Sequence, residues 1–130
     1  MKYALVVYGA PYSQQAAHSA LRFAEALPSR GHCAATVFFY HDGVYNATRL
    51  MTPPQDEPNL CQRWLSLAQV HDTSLLVCVS SALKRGIVDS KEAQRHGLEG
   101  NSLSPGFELT GLGQLLDAAL THDRVVTFGA

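Results

Sequence analysis

Short apolar runs alternate with amphipathic segments along this chain of 130 residues. Continuous apolar runs are typical of strands that are buried on both faces of a parallel sheet. The runs predict five strands, at residues 3–8, 33–40, 74–79, 107–109 and 124–128. Between them, apolar residues recur at three- and four-residue spacing, which indicates helices with one buried face.

The segments between the strands predict several helices of different length. Ser13 is expected to cap the first helix, and Thr110 is expected to cap the last. Two short helices are expected at residues 80–85 and 89–95. The predicted buried positions of the three longer helices are Ala17, Ala20, Leu21 and Ala24, then Leu60, Trp64 and Leu67, and finally Leu112, Leu115, Leu116, Ala119 and Leu120.

Alternating strands and helices predict an α/β fold, a three-layer α/β/α sandwich with a mostly parallel sheet of about five strands. We find no internal repeat and no linker, so residues 1–130 are expected to form one domain. Sites in such folds lie at the carboxyl ends of the strands. The segments expected there are residues 9–13, 41–46 and 78–86.

The charge content is low, since 16% of the residues are charged and the net charge is −1. The balance offers no basic surface for direct nucleic-acid binding. Few charges on a small domain indicate that other chains cover part of its surface. No apolar segment approaches the roughly 20 residues of a membrane span, and the beginning does not look like a signal peptide. A cytoplasmic protein with reduced thiols is expected.

Cys78 stands where the apolar run LLVCV gives way to the polar sequence SSALKRG. At this point its sulfur would lie close to the start of the next helix, where free amide groups favour a thiolate. Lys84 and Arg85 would add positive potential. A cysteine in an apolar strand is as readily a core residue. The residues alone therefore leave Cys78 open between a nucleophile and a buried thiol.

The other cysteines and the histidines give weaker signals. Cys33 and Cys61 are interpreted as small packed hydrophobes. The six histidines are scattered without metal-binding spacing, so no metal site is expected. His41 falls at the predicted active edge, but it is interpreted as a solvated turn residue beside the turn pair of Asp42 and Gly43.

Two other kinds of site fit the sequence poorly. A phosphatase loop would place an arginine at the C-x5-R spacing, where this chain has Lys84 and no bidentate fork. A flavodoxin would place a hydroxyl-rich phosphate loop after the first strand. The corresponding segment here is GAPYSQQ, with one serine.

Several blocks together resemble the DsrE/TusD branch of the DsrE-like sulfur-relay proteins. They are VVYGAPYSQQAA, FFYHDGVYNATRL, CVSSALKRGIVD, SPGFELTGLGQLLDAAL and DRVVTF, and they span almost the whole chain. The resemblance implies a three-layer α/β fold and a sulfurtransferase without a cofactor.

The resemblance also implies roles for individual residues. Cys78 corresponds to the cysteine that carries a persulfide in such proteins. The residues expected to stabilise the anionic sulfur are Val79, Ser80, Ser81, Lys84 and Arg85. Tyr12, Asp42 and Asn46, from the other two edge loops, are expected to shape the pocket.

The implied partners are other proteins of a sulfur relay. A TusA-like protein would donate sulfur and a TusE-like or DsrC-like protein would accept it. TusC-like and TusB-like, or DsrF-like and DsrH-like, subunits would complete a hexamer built as a dimer of heterotrimers. The relay would serve 2-thiolation of the wobble uridine of tRNA or dissimilatory sulfur oxidation. A non-catalytic assembly subunit and a small-anion-binding or flavin-binding module remain as alternatives.

Overall fold

The structure, a computed structural model, describes residues 1–129. Its strands are β1 (Lys2–Val7), β2 (Cys33–Phe39), β3 (Ser74–Cys78), β4 (Phe107–Thr110) and β5 (Arg124–Phe128). Its α-helices are α1 (Gln15–Ala26), α2 (Leu60–His71), α3 (Val79–Lys84), α4 (Ser90–Arg95) and α5 (Gly113–Thr121), with 3-10 helices at Pro28–Arg30 and His41–Ala47. Within residues 1–129, none of these helices has the length and apolar character needed to cross a membrane.

The five strands form one sheet in the order β4-β3-β2-β1-β5, and every neighbouring pair is parallel. β1 pairs on both sides, with its Val7 opposite Phe39 of β2 and opposite Phe128 of β5. The predicted α/β fold with a parallel sheet is confirmed. Because all strands run the same way, their carboxyl ends meet at one edge of the sheet.

One face of the sheet packs against α1 and α2 and forms the main core. Alternate strand residues such as Leu5, Val37 and Val77 are fully buried on this face, together with Trp64 from α2. The buried positions of α1 are mostly alanines, and these small side chains let the helix lie close to the strands. The apolar positions that the sequence predicts for the buried faces of α1 and α2 are thus buried in the structure.

The opposite face is covered by the connection from β4 to β5, which crosses the sheet from one edge to the other. The right-handed rule for such crossovers assigns α5 to this face. Of the residues of α5, all of which the structure describes, Ala118 alone is buried. Leu116 and Leu120 are 63% and 78% exposed. The expected apolar face of this helix therefore exists, but this chain does not bury it.

The two predicted caps are corrected by the structure. Neither α1 nor α5 has a side-chain cap hydrogen bond, and their N-cap residues are Gln14 and Leu112. Ser13 lies in a tight turn in which its backbone N–H donates to the carbonyl of Pro11. Thr110 is the last residue of β4 and pairs with Cys78, so it lies before the helix begins.

His122 generates a prediction about stability and pH. Its pKa is lowered by burial and, secondly, by the charge of Lys2, and its Nε2 lies 2.9 Å from Oγ1 of Thr36. The unfolded chain therefore binds the proton more readily, so the stabilisation is present above the ordinary pKa of 6.5 and is lost as the pH falls below it.

We expect His122→Gln to weaken this pH dependence, because glutamine can bond to Thr36 but does not titrate. Thermal melts between about pH 7.5 and pH 5 should show a larger fall in Tm for the wild type than for the variant. Equal falls in the two proteins would contradict the assignment.

Candidate functional site

Cys78 is both the last residue of β3 and the residue that precedes α3. Its backbone is still extended, with φ −60° and ψ 117°, and the helix begins at Val79. The side chain alternates with that of Val77, which faces the main core, so Cys78 lies on the α5 side of the sheet. Cys78 is only 3% exposed. The thiol thus lies at the carboxyl edge, as the apolar pattern predicts, but it is buried.

A cavity of about 260 Å³ opens onto Cys78. Its lining includes all five residues that were expected to stabilise a sulfur anion, namely Val79, Ser80, Ser81, Lys84 and Arg85. Tyr40 and His41 contribute from the segment after β2, and Gly111 and Leu112 contribute from the connection between β4 and α5. Three separate segments of the chain therefore enclose the thiol.

Lys84 and Arg85, the two positively charged residues of the cavity, differ in the contacts that they form. Arg85 donates from Nε to Oδ1 of Asp42 at 2.9 Å and from Nη1 to the carbonyl of Ser81 at 3.1 Å. Lys84 forms no ion pair with any carboxylate in residues 1–129. Asp42 therefore partly neutralises the charge of Arg85, whereas the charge of Lys84 is not offset by an ion pair with those carboxylates.

His41, which the sequence predicts as a solvated turn residue, is exposed and also lies at the cavity of Cys78. The residue lines the cavity together with Cys78, and its backbone N–H donates to Oγ of Ser81 at 3.2 Å. The ring stacks on Tyr8 at a centroid distance of 5.4 Å. The signal in the sequence was its place immediately after a strand that pairs with the strand of Cys78.

None of the three predicted pocket residues lines the cavity of Cys78, and Asp42 is linked to it only through its ion pair with Arg85. Tyr12 borders a different cavity of about 370 Å³, where its hydroxyl donates to the carbonyl of Pro58 and accepts from the N–H of Leu60. Asn46 is fully buried. The side chain of Tyr12 is thus hydrogen-bonded to the start of α2, and that of Asn46 lies in the core.

Asn46 satisfies buried polar groups from three parts of the chain. Its Nδ2 donates to the carbonyls of Gly43 at 2.8 Å and Gly9 at 3.3 Å. Its Oδ1 accepts from Nε1 of Trp64 at 3.2 Å. The amide thus joins the loop after β1, the segment after β2 and α2, which is a structural role.

The three cysteines, all inside the described range, are free and have different environments. Cys61 is 2% exposed, and burial raises the pKa of its thiol. Cys33 is exposed, contrary to the expectation that it packs in the core, because it is the first residue of β2 and lies at the amino edge of the sheet. Cys78 alone of the three lines the cavity.

The residues offer little to a bound metal or a large cofactor. Over residues 1–129, no three His, Cys, Asp or Glu side chains are grouped as metal ligands would be. The cavity beside Cys78 is smaller than the roughly 300–1,000 Å³ of ordinary ligand pockets. Its size suits the tip of a side chain or a few atoms of a small anion.

Comparisons with known proteins identify the family. The model of the DsrE/DsrF-like family matches residues 1–128. The chain belongs to the DsrE/DsrF-like family. It is 49% identical over 129 residues to the putative sulfurtransferase DsrE of Allochromatium vinosum, covering 99% of each chain. It is 52% identical over 128 residues to the sulfurtransferase TusD of Salmonella newport, covering 98% of this chain and 100% of that one.

A solved structure agrees with this membership. The ychN protein from E. coli has a TM-score of 0.77 and 25% identity to this DsrE/DsrF-like chain, with 98% of this chain and 99% of that chain covered. The resemblance inferred from the sequence motifs is thus confirmed at the level of the family.

The different cysteine environments predict an order of alkylation. With iodoacetamide under native conditions, Cys33 should react first because it is exposed. Cys61 should react last, because burial disfavours its reactive thiolate form. Cys78 should react between them because its cavity admits a small reagent. Peptide mass spectrometry measures each rate, and denaturant should make the three similar. A Cys78 as slow as Cys61 would contradict the prediction.

Proposed function

We propose that this chain is a sulfurtransferase subunit that carries sulfur on Cys78 as a persulfide. The observation that carries the proposal is the position of Cys78 in a cavity lined by Lys84 and Arg85, at the start of a helix. The two close relatives are both named sulfurtransferases. Neither Cys33 nor Cys61 has a comparable environment.

The chemistry consists of two exchanges between sulfur atoms. The thiolate of Cys78 attacks the outer sulfur of a donor persulfide, R–S–SH, forming Cys78–S–SH and releasing the donor as R–S⁻. The thiolate of an acceptor then attacks the outer sulfur of Cys78–S–SH, forming R′–S–SH and restoring the Cys78 thiolate. One sulfur atom moves in each step and no net oxidation occurs. The rate depends on thiolate fraction, leaving group and access.

The cavity favours the anionic forms of sulfur. The amides of Val79, Ser80 and Ser81, in the first turn of α3, have no partner within the helix, and free amides at such a turn stabilise negative charge. Lys84 adds a positive charge that no carboxylate of residues 1–129 neutralises. Arg85 contributes less, because Asp42 already shares its charge.

The partners follow from the family. Membership in it implies other proteins of a sulfur relay, and the finer assignment is a TusA-like donor and a TusE-like or DsrC-like acceptor. Such a relay serves 2-thiolation of tRNA wobble uridine or dissimilatory sulfur oxidation, and a cytoplasmic location keeps its thiols reduced. Neighbouring genes for dissimilatory sulfite reductase would favour oxidation, and their absence would favour tRNA thiolation.

Intact-mass measurement tests the persulfide. After incubation with a persulfidated donor protein, in the presence of its partner subunits, the chain should gain the mass of one sulfur atom. Cys78→Ser should abolish the gain. Cys33→Ser and Cys61→Ser are the matched controls and should leave it intact.

Two outcomes would contradict the proposal. Gain of sulfur by the Cys78→Ser variant would assign the sulfur to another residue. No gain on the wild type with its partners present would favour a non-catalytic assembly subunit, in which Cys78 is a buried structural thiol.

The exposed face of α5 supports contact with the partner subunits. Leu112, Leu116 and Leu120 are 50%, 63% and 78% exposed, and their four-residue spacing aligns them along the helix. Val125 of the edge strand β5 is 42% exposed. Adjacent exposed apolar side chains on a small domain mark an interaction surface. We assign this surface to the TusC-like and TusB-like, or DsrF-like and DsrH-like, subunits.

Charged substitutions on α5 should weaken assembly. We expect Leu116→Glu with Leu120→Glu to reduce the amount of complex recovered after co-expression with the partner subunits, because a charge would be buried at the contact. Size-exclusion chromatography with light scattering measures the assembly. Leu50→Glu is the control, since Leu50 is also exposed, at 58%, but belongs to the connection between β2 and α2. Unchanged assembly in the α5 variant, or an equal loss in the control, would refute the assignment.

A further inference from the structure

His41 is held in a conformation that side chains seldom adopt. Its φ is +49°, in the left-handed region that non-glycine residues usually avoid. The hydrogen bond from its N–H to Ser81, on the helix that begins after Cys78, maintains this backbone against α3. Strained backbone persists where surrounding structure enforces it, and it is concentrated at functional sites.

The imidazole is held in place although the residue is exposed. It stacks on Tyr8 with an interplanar angle of 26°, and it is nearly perpendicular to the ring of Tyr40, with the two ring centroids 4.3 Å apart. Exposed side chains on a loop are ordinarily free to change rotamer. Two aromatic contacts instead hold this ring, and the residue that carries it is exposed and lines the cavity of Cys78.

We propose that His41 is the acid–base residue that moves the proton of the partner's thiol during sulfur exchange. This inference rests on the proposed persulfide transfer through Cys78. A partner's cysteine must enter the cavity to reach the sulfur on Cys78, and His41 borders that route. Histidine is the side-chain type best suited to exchange a proton near neutral pH.

An acid–base role for His41 accounts for the proton in both steps of the transfer. When Cys78 takes the outer sulfur from the donor, the donor leaves as R–S⁻, and protonated His41 gives it a proton. When the acceptor arrives as R′–SH, neutral His41 takes the thiol proton and leaves R′–S⁻ as the nucleophile. The residue therefore returns to its starting protonation state after one full transfer.

Other groups at the cavity are less suited to this role. Asp42 is engaged by Arg85 through a 2.9 Å hydrogen bond. Lys84 and Tyr40 also line the cavity, but lysine and tyrosine are less often general bases near neutral pH than histidine. The hydroxyl of Ser81 already accepts from the backbone of His41.

Acceptor thiols of different acidity provide the test. The full chain is loaded with sulfur by glutathione persulfide, and intact mass follows its loss to either 2-mercaptoethanol or thionitrobenzoate near pH 7. The first thiol is mostly protonated at this pH and needs a base, whereas the second is already ionised. His41→Asn should slow transfer to 2-mercaptoethanol by roughly 10- to 100-fold and leave transfer to thionitrobenzoate nearly unchanged. Asparagine suits the left-handed backbone.

Chemical rescue provides a second readout. His41→Gly also suits the positive φ, and imidazole added to the solution should restore its transfer to 2-mercaptoethanol. His71→Asn, at the exposed end of α2, is the matched control and should behave as the wild type. Equal slowing with both thiols, or no rescue by imidazole, would overturn the acid–base role. Failure to load sulfur on the wild type and on His41→Asn alike, with the partner subunits present, would instead refute the persulfide proposal.

Discussion

The close approach of the turn after β2 to the end of β1 is the constraint on which the site depends. A Cβ atom on Gly43 would lie 2.0 Å from the carbonyl oxygen of Val7, so glycine is required there. The same carbonyl accepts the N–H of Tyr40 at 3.0 Å, and Gly43 donates to the carbonyl of Tyr40 at 2.9 Å. This contact starts the 3-10 helix at His41 and thereby presents His41 and Asp42 to the first turn of α3. The buried amide of Asn46 then fixes the far end of the same segment to α2 through Trp64.

The parts of the structure that could be predicted are those in which local pattern and burial agree. The strands of residues 33–39 and 74–78 are continuous apolar runs because both faces of the sheet are covered, and their ends determine where Cys78 lies. The buried face of α1 could also be predicted from the sequence, because its alanines recur at helical spacing and pack on the strands. The Gly43 contact could not be predicted, because it joins residues that are 36 positions apart and depends on the register of β1 and β2.

The remaining differences have physical causes of the same kind. The leucines of α5 have the spacing of a buried face, but spacing shows which residues share a face and not whether this chain covers it. Asn46 stands in a polar loop sequence, and only the fold brings Gly9 and Trp64 within reach of its amide. The sequence predicts His41 as a turn residue, because its contact with Tyr8 forms only when the ends of β1 and β2 come together in the sheet.

The burial of Cys78 and its proposed work as a carrier are compatible because a persulfide lengthens the side chain. A thiol that is 3% exposed gives little access to another protein. An added sulfur extends the reactive atom by about 2 Å, the length of a sulfur–sulfur bond. The cavity that Cys78 lines together with Lys84 and His41 offers space for this extension. Burial would then protect the unloaded thiol from oxidation, whereas the loaded form would present its outer sulfur toward an incoming cysteine. The transferred sulfur atom itself would thus determine when the side chain of Cys78 becomes reachable.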